Sequence, residues 1–160
     1  MRSAPRWFWR GCEWGAVGTV LMTVLMILVW LIAPRAMPSL IPLAITAGLV
    51  AKITHAQAVT SGMFALGFVL HLVYGAFWGG LIALSSPNLT AAKGIVVATG
   101  LWLLMFIFYV PMSGDAVVAV ATNPWTWVVT FVGHVAYGAT VGALLHRDQT
   151  RGYHGEHALA

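Results

Sequence analysis

The chain has 160 residues, of which 60% are hydrophobic and only 8% charged, and its mean hydropathy is +0.87. An ordinary soluble domain carries about 25% charged residues, so 8 Lys+Arg and 4 Asp+Glu cannot wet the surface of a water-soluble globule. The same scarcity excludes a soluble nucleic-acid binder despite a pI near 9.7, and the lone Cys12 excludes an internal disulfide, a Cys-x-x-Cys redox pair and a c-type haem attachment motif.

A helix needs roughly 20 mostly apolar residues to cross ~30 Å of hydrocarbon, and four stretches meet that need. They are 15–33, stopped by Pro34 and Arg35; 63–84, stopped by Ser85, Ser86 and Pro87; 94–111; and 126–145, ending at His146 and Arg147. None contains Asp, Glu, Lys or Arg. Trp14, Trp125 and Trp127 stand at span entrances, where an aromatic belt forms. The first stretch has the Arg-bearing start of a signal peptide (Arg2, Arg6, Arg10). Its 19 apolar residues exceed the 7–15 of a signal core, so it reads as a retained helix.

The segment 37–62 is apolar from Leu40 to Ala51 but is interrupted by Pro42 and followed by Lys52, His55 and Gln57. Charge decides whether it spans. Four spans with a cytoplasmic N-terminus put Arg2, Arg6, Arg10, Lys93, Arg147 and Arg151 inside, against Arg35 and Lys52 outside. A fifth span would level that bias, against the positive-inside rule. The segment is therefore expected to be a short external helix, lying on the membrane face or partly re-entrant. Residues 1–146 form one transmembrane domain in this reading, both termini are cytoplasmic, and 147–160 is a disordered tail.

An internal repeat carries the sharpest signal. Phe68–Gly79 and Phe131–Gly142 agree at seven of twelve positions, at a constant offset of 63, and each contains His-x-x-Tyr-Gly. The two histidines, His71 and His134, fall at similar depth in helices of the same direction, which predicts two tandem hairpins in a parallel repeat. At ~100° per residue, with His71 at 0°, Gly75 falls at about 40°, Gly79 at about 80°, Phe68 at about 60° and Tyr74 at about −60°. Gly138, Gly142, Phe131 and Tyr137 repeat this face around His134. Glycines so spaced let a helix or a flat cofactor approach closely, and the two repeat faces are expected to meet inside the bundle.

The Gly-x-x-x-x-x-Leu-Met-Thr stretch (Gly15 to Thr23), the two His-x-x-Tyr-Gly copies and Gly100-Leu101-Trp102 resemble a family of small four-helix bacterial and archaeal membrane proteins of unknown function. The resemblance covers about residues 15–146. It implies an all-α, integral membrane four-helix bundle and carries no activity.

An ionisable residue inside a membrane is a functional candidate by default, and three readings of His71 and His134 compete. They hydrogen-bond across the bundle as a structural core, with Tyr74 and Tyr137 in reach. They ligate a metal, most simply the iron of a b-type haem, or bind a quinone-like molecule. Or they line a path for protons or a small solute, although a pump normally adds carboxylates. Asp115, Glu13 and Asp148 read as loop and helix-flanking acids, and His146, His154 and His157 as tail residues. Met22, Met26, Met105 and Met112 read as core filling. No nucleophile–base pair, phosphate-binding loop or nucleotide fingerprint is present in the sequence. The expectation is a non-enzymatic multi-pass protein of the cell membrane with lipid and protein partners, or a homo-oligomer, and no nucleic acid. It is an accessory subunit of a membrane complex, respiratory for example, with haem as one use of the pair. A small oligomeric proton or solute channel is the alternative.

Overall fold

The computed structural model describes residues 4–35, 40–56, 60–86, 88–113, 118 and 121–157, and the elements among them are all helical. They are α1 (Ala4–Ile32), α2 (Ile41–Ile53), α3 (Ser61–Ser85), α4 (Ala91–Met112) and α5 (Pro124–His157). Four of them, α1, α3, α4 and α5, are long and apolar enough to cross a membrane. The 29 residues of α1 extend ~44 Å at ~1.5 Å per residue, enough for hydrocarbon and headgroups.

The helices begin earlier than their apolar runs because polar caps lie upstream. Thr60 Oγ1 accepts from the Met63 amide and Thr90 Oγ1 from the Lys93 amide, each at 3.3 Å, satisfying donors that a helix start leaves orphaned. The first helix starts at Ala4 rather than near 15 because its extra turns are packed. A Cβ on Gly80 would stand 2.5 Å from the Phe8 ring and 2.9 Å from Cys12 Sγ. The last helix likewise continues through His157, where composition predicts disorder from 147. Asp148 and Gln149 anchor that extension: Trp14 Nε1 donates to Asp148 Oδ2 at 2.8 Å, and Gln149 Oε1 accepts from the Leu89 amide at 3.0 Å. Residues 158–160 lie outside the described residues.

Helix α1 is central, with α3 on one side and α5 on the other; α4 packs on α5, and α3 and α5 barely touch. Backbone contact sets these spacings. A Cβ on Gly15 would lie 2.5 Å from the Gly75 carbonyl oxygen and 2.9 Å from Gly79 Cα, and Gly11 meets the Gly79 carbonyl. In the other pair, Gly94 meets the Gly138 carbonyl and a Cβ on it would lie 3.1 Å from Gly142 Cα. The repeat faces therefore turn inward but do not meet each other. The α3 face is taken by α1 and the α5 face by α4, because a second glycine backbone lets helices approach this closely. The helix α1 also needs no side chain at Gly18, where a Cβ would be 2.9 Å from the Tyr137 ring. Its buried hydroxyls bond backward, Thr19 Oγ1 to the Gly15 carbonyl and Thr23 Oγ1 to the Thr19 carbonyl, each at 2.8 Å. Such back-bonding keeps polar atoms satisfied in apolar surroundings.

Adjacent helices alternate in direction, so the starts of α1 and α4 and the ends of α3 and α5 share one end. Charge gathers there. Arg10 bridges Glu13 on its own helix and Asp148 at 3.1 Å, while the Arg10 and Arg147 guanidinium groups sit 5.4 and 5.8 Å from the Trp14 ring centre. At the opposite end, Asn123 Nδ2 donates to the Arg35 carbonyl at 3.1 Å.

The short helix α2 is packed on α3, with Ile41 and Ala47 wholly buried. A Cβ on Gly67 of α3 would lie 2.6 Å from Thr46 Oγ1, and one on Gly48 would lie 2.6 Å from the Ser113 carbonyl. These contacts wedge α2 between α3 and the far end of α4, where Ile41, Ile45, Met105, Val110 and Ala121 form a second core. It ends with His55 in the left-handed region at φ 55°. The Ala56 amide donates to the Ala51 carbonyl (2.9 Å) and the His55 amide to that of Lys52 (3.4 Å), closing a Schellman turn.

Leucine at Gly15 or Gly138 forces the paired backbones apart, and overpacking costs typically ~1–3 kcal/mol. Each variant should lose roughly 3–10 °C in melting temperature in detergent. Gly100→Leu is the control, since a Cβ there meets nothing within 4 Å. Equal tolerance at all three positions would contradict the packing.

Candidate binding cavity

With Gly75 and Gly79 against α1, and Gly138 and Gly142 against α4, the adjoining faces of α3 and α5 hold their histidines where no helix fills the space. A cavity of about 270 Å³ lies there. Its wall is Met22 from α1; Ile45, Thr46 and Leu49 from α2; Leu70, His71 and Tyr74 from α3; Leu101, Met105 and Tyr109 from α4; and His134 from α5. The two histidines thus share one space. Helix α4 widens into a π turn over Met105–Tyr109, with the Val110 amide bonded to the Met105 carbonyl. Single π turns recur at functional sites, and this one supplies two wall residues.

The two histidines differ in bonding. His134 Nδ1 lies 2.8 Å from the Thr130 carbonyl oxygen. A carbonyl only accepts, so Nδ1 carries the proton and Nε2 of the neutral ring is a bare acceptor. On His71 the Nε2 is buried without a partner, a state worth ~1–3 kcal/mol of lost solvation. The equivalent tyrosines diverge too. Tyr137 Oη donates to the Gly75 carbonyl at 2.6 Å, tying α5 to α3 across the edge of α1. The Tyr74 ring instead lies edge-on to Tyr109, centroids 5.6 Å apart, beside the cavity.

Haem is a poor fit to these residues. The glycines that would face a macrocycle are filled by α1 and α4. A cavity of ~150 Å³ accommodates one benzene, so 270 Å³ admits a single substituted ring but not a tetrapyrrole. The wall also contains no cation to receive propionates. Among the described residues no group of three or more His, Cys, Asp or Glu could hold a metal ion.

Sequence reasoning missed Tyr109 and the α2 contribution to the wall and, outside the wall, Trp78. Trp78 is seven residues beyond His71 on the same face of α3, its Nε1 buried without a partner; that i, i+7 spacing was the available signal. Asp115 lies outside the described residues, as do the side chains of His154 and His157, and His146 is exposed away from the cavity.

Among the described residues every element is helical, and four helices long and apolar enough to cross a membrane surround a histidine-bearing cavity, an architecture compatible with a multi-pass membrane bundle. The chain belongs to a family of unknown function, DUF6789, whose model matches residues 7–155. No curated protein and no solved structure matches it.

Proposed function

We propose that the chain is a non-enzymatic multi-pass protein of the cell membrane that holds a small molecule in the His71–His134 cavity, as a subunit of a larger membrane assembly. The observation that carries this reading is the unpartnered His71 Nε2 in an apolar wall. A purely structural core would pair that atom or replace it with a methyl group, because burying it unpaired costs stability. A ligand relieves the cost.

The bundle is further read as two tandem halves, α1–α3 and α4–α5. Support comes from the contacts: Gly15 on Gly75 and Gly79 repeats as Gly94 on Gly138 and Gly142. The offsets, 79 for the first helix of each half and 63 for the second, also relate two pairs on the cavity wall, Met22 with Leu101 and His71 with His134. On this reading the cavity sits at the junction of the halves, and α2 makes it asymmetric.

Removing an orphan polar atom from apolar surroundings is neutral or stabilising. His71→Leu should therefore leave the ligand-free melting temperature unchanged or higher, while a molecule that co-purifies with the native protein in native mass spectra is lost. A drop of several degrees would return His71 to a structural role. The visible spectrum of the purified protein should lack a Soret band; a band that disappears in His71→Leu would restore haem.

Both termini are assigned to the cytoplasm, because Arg10, Lys93, Arg147 and Arg151 belong to the end where α1 starts and α5 ends. A reporter fused after Ala160 should report the cytoplasm and one inserted within 113–123 the opposite compartment; the same compartment for both would overturn the four-span arrangement, and the reversed pair would overturn the orientation.

A further inference from the structure

We infer that the molecule held in the cavity is a small hydroxylated aromatic ring, of the phenol or hydroquinone class, whose O–H donates to His134 Nε2. This rests on the ligand-holding reading above and adds the chemistry of the ligand. The Thr130 carbonyl fixes the His134 proton on Nδ1, so the other nitrogen can only accept. His134 lines the cavity, so an occupant that hydrogen-bonds to this nitrogen must bring the donor. A plain quinone, a hydrocarbon or a lipid tail brings none.

His71 suits either polarity. Its Nε2 is unpartnered, and a neutral imidazole can carry its proton on either nitrogen, so it can donate to the oxygen of the same ligand or accept from a second hydroxyl. The pair therefore selects an O–H group, with the obligatory contact at His134.

The rest of the wall selects a ring. Met22 and Met105 bring thioethers, which favour aromatic edges, and Tyr74 and Tyr109 bring ring faces and edges. A volume of 270 Å³ exceeds the ~150 Å³ that holds one benzene by enough for ring substituents.

Three matched probes test this on the full chain in lipid nanodiscs: 4-propylphenol, its methyl ether 4-propylanisole, and propylbenzene. Binding is read by calorimetry and by the shift in melting temperature. The phenol should bind, and the ether and hydrocarbon should bind roughly 5–150-fold more weakly, the range expected for losing one hydrogen bond in apolar surroundings. His134→Leu should remove the preference among the three while retaining weak binding. Equal affinities for all three in the unaltered protein would overturn the hydroxyl assignment and leave an apolar ligand cavity standing. No binding of any probe would overturn the ligand-holding reading itself. The comparison within the unaltered protein decides the matter even if the variant does not fold.

Discussion

The structure depends on one constraint, the direct approach of glycine backbones in two helix pairs. Where Gly15 meets Gly75 and Gly79, and Gly94 meets Gly138 and Gly142, any side chain would collide with a carbonyl or an α-carbon. Lipid tails are as apolar as leucine, so burying leucine against another helix gives little preference inside a bilayer. Close packing supplies what hydrophobicity cannot. Once α1 holds α3, and α4 holds α5, these two glycine faces are used up and α1 joins the pairs through Gly18, Tyr137, Met22 and Met26.

That allocation leaves the space beside the two histidines to side chains rather than backbones. The short helix α2 closes it from one side through Gly67 and Thr46, and the π turn of α4 turns Met105 and Tyr109 toward it. Two residues equivalent in sequence thereby acquire different characters. His134 is bonded to the Thr130 carbonyl four residues earlier, while His71 Nε2 is buried without a partner. At the matching place in α3 stands Gly67, against which α2 docks.

How far the sequence discloses this follows from the same physics. Span number was legible because length and apolarity alone set it, and the small-residue faces were legible because Gly75 and Gly138 recur at helical spacing. Their partners were not, since a glycine face specifies closeness without naming the helix that comes close. Pro42 and Lys52 made α2 look peripheral, although Pro42 stands in the first turn of the helix, where proline is tolerated. Lys52 itself stays exposed at the end of the helix, with its Nζ 3.4 Å from the Met112 carbonyl. The π turn left no trace in hydropathy, and the helical extension past 147 depends on Asp148 finding Trp14 and Arg10 across the bundle.

The central claim is that the shared cavity offers a fixed acceptor at His134 in the ligand-free protein. The most direct measurement is the nitrogen-15 spectrum of the histidine side chains in nanodiscs, with His134 assigned through its substitution. The account predicts a neutral ring with protonated Nδ1 and bare Nε2, moving toward hydrogen-bonded values when a phenol is added. A His134 ring that carries its proton on Nε2, or is unmoved by occupancy of the cavity, would contradict it.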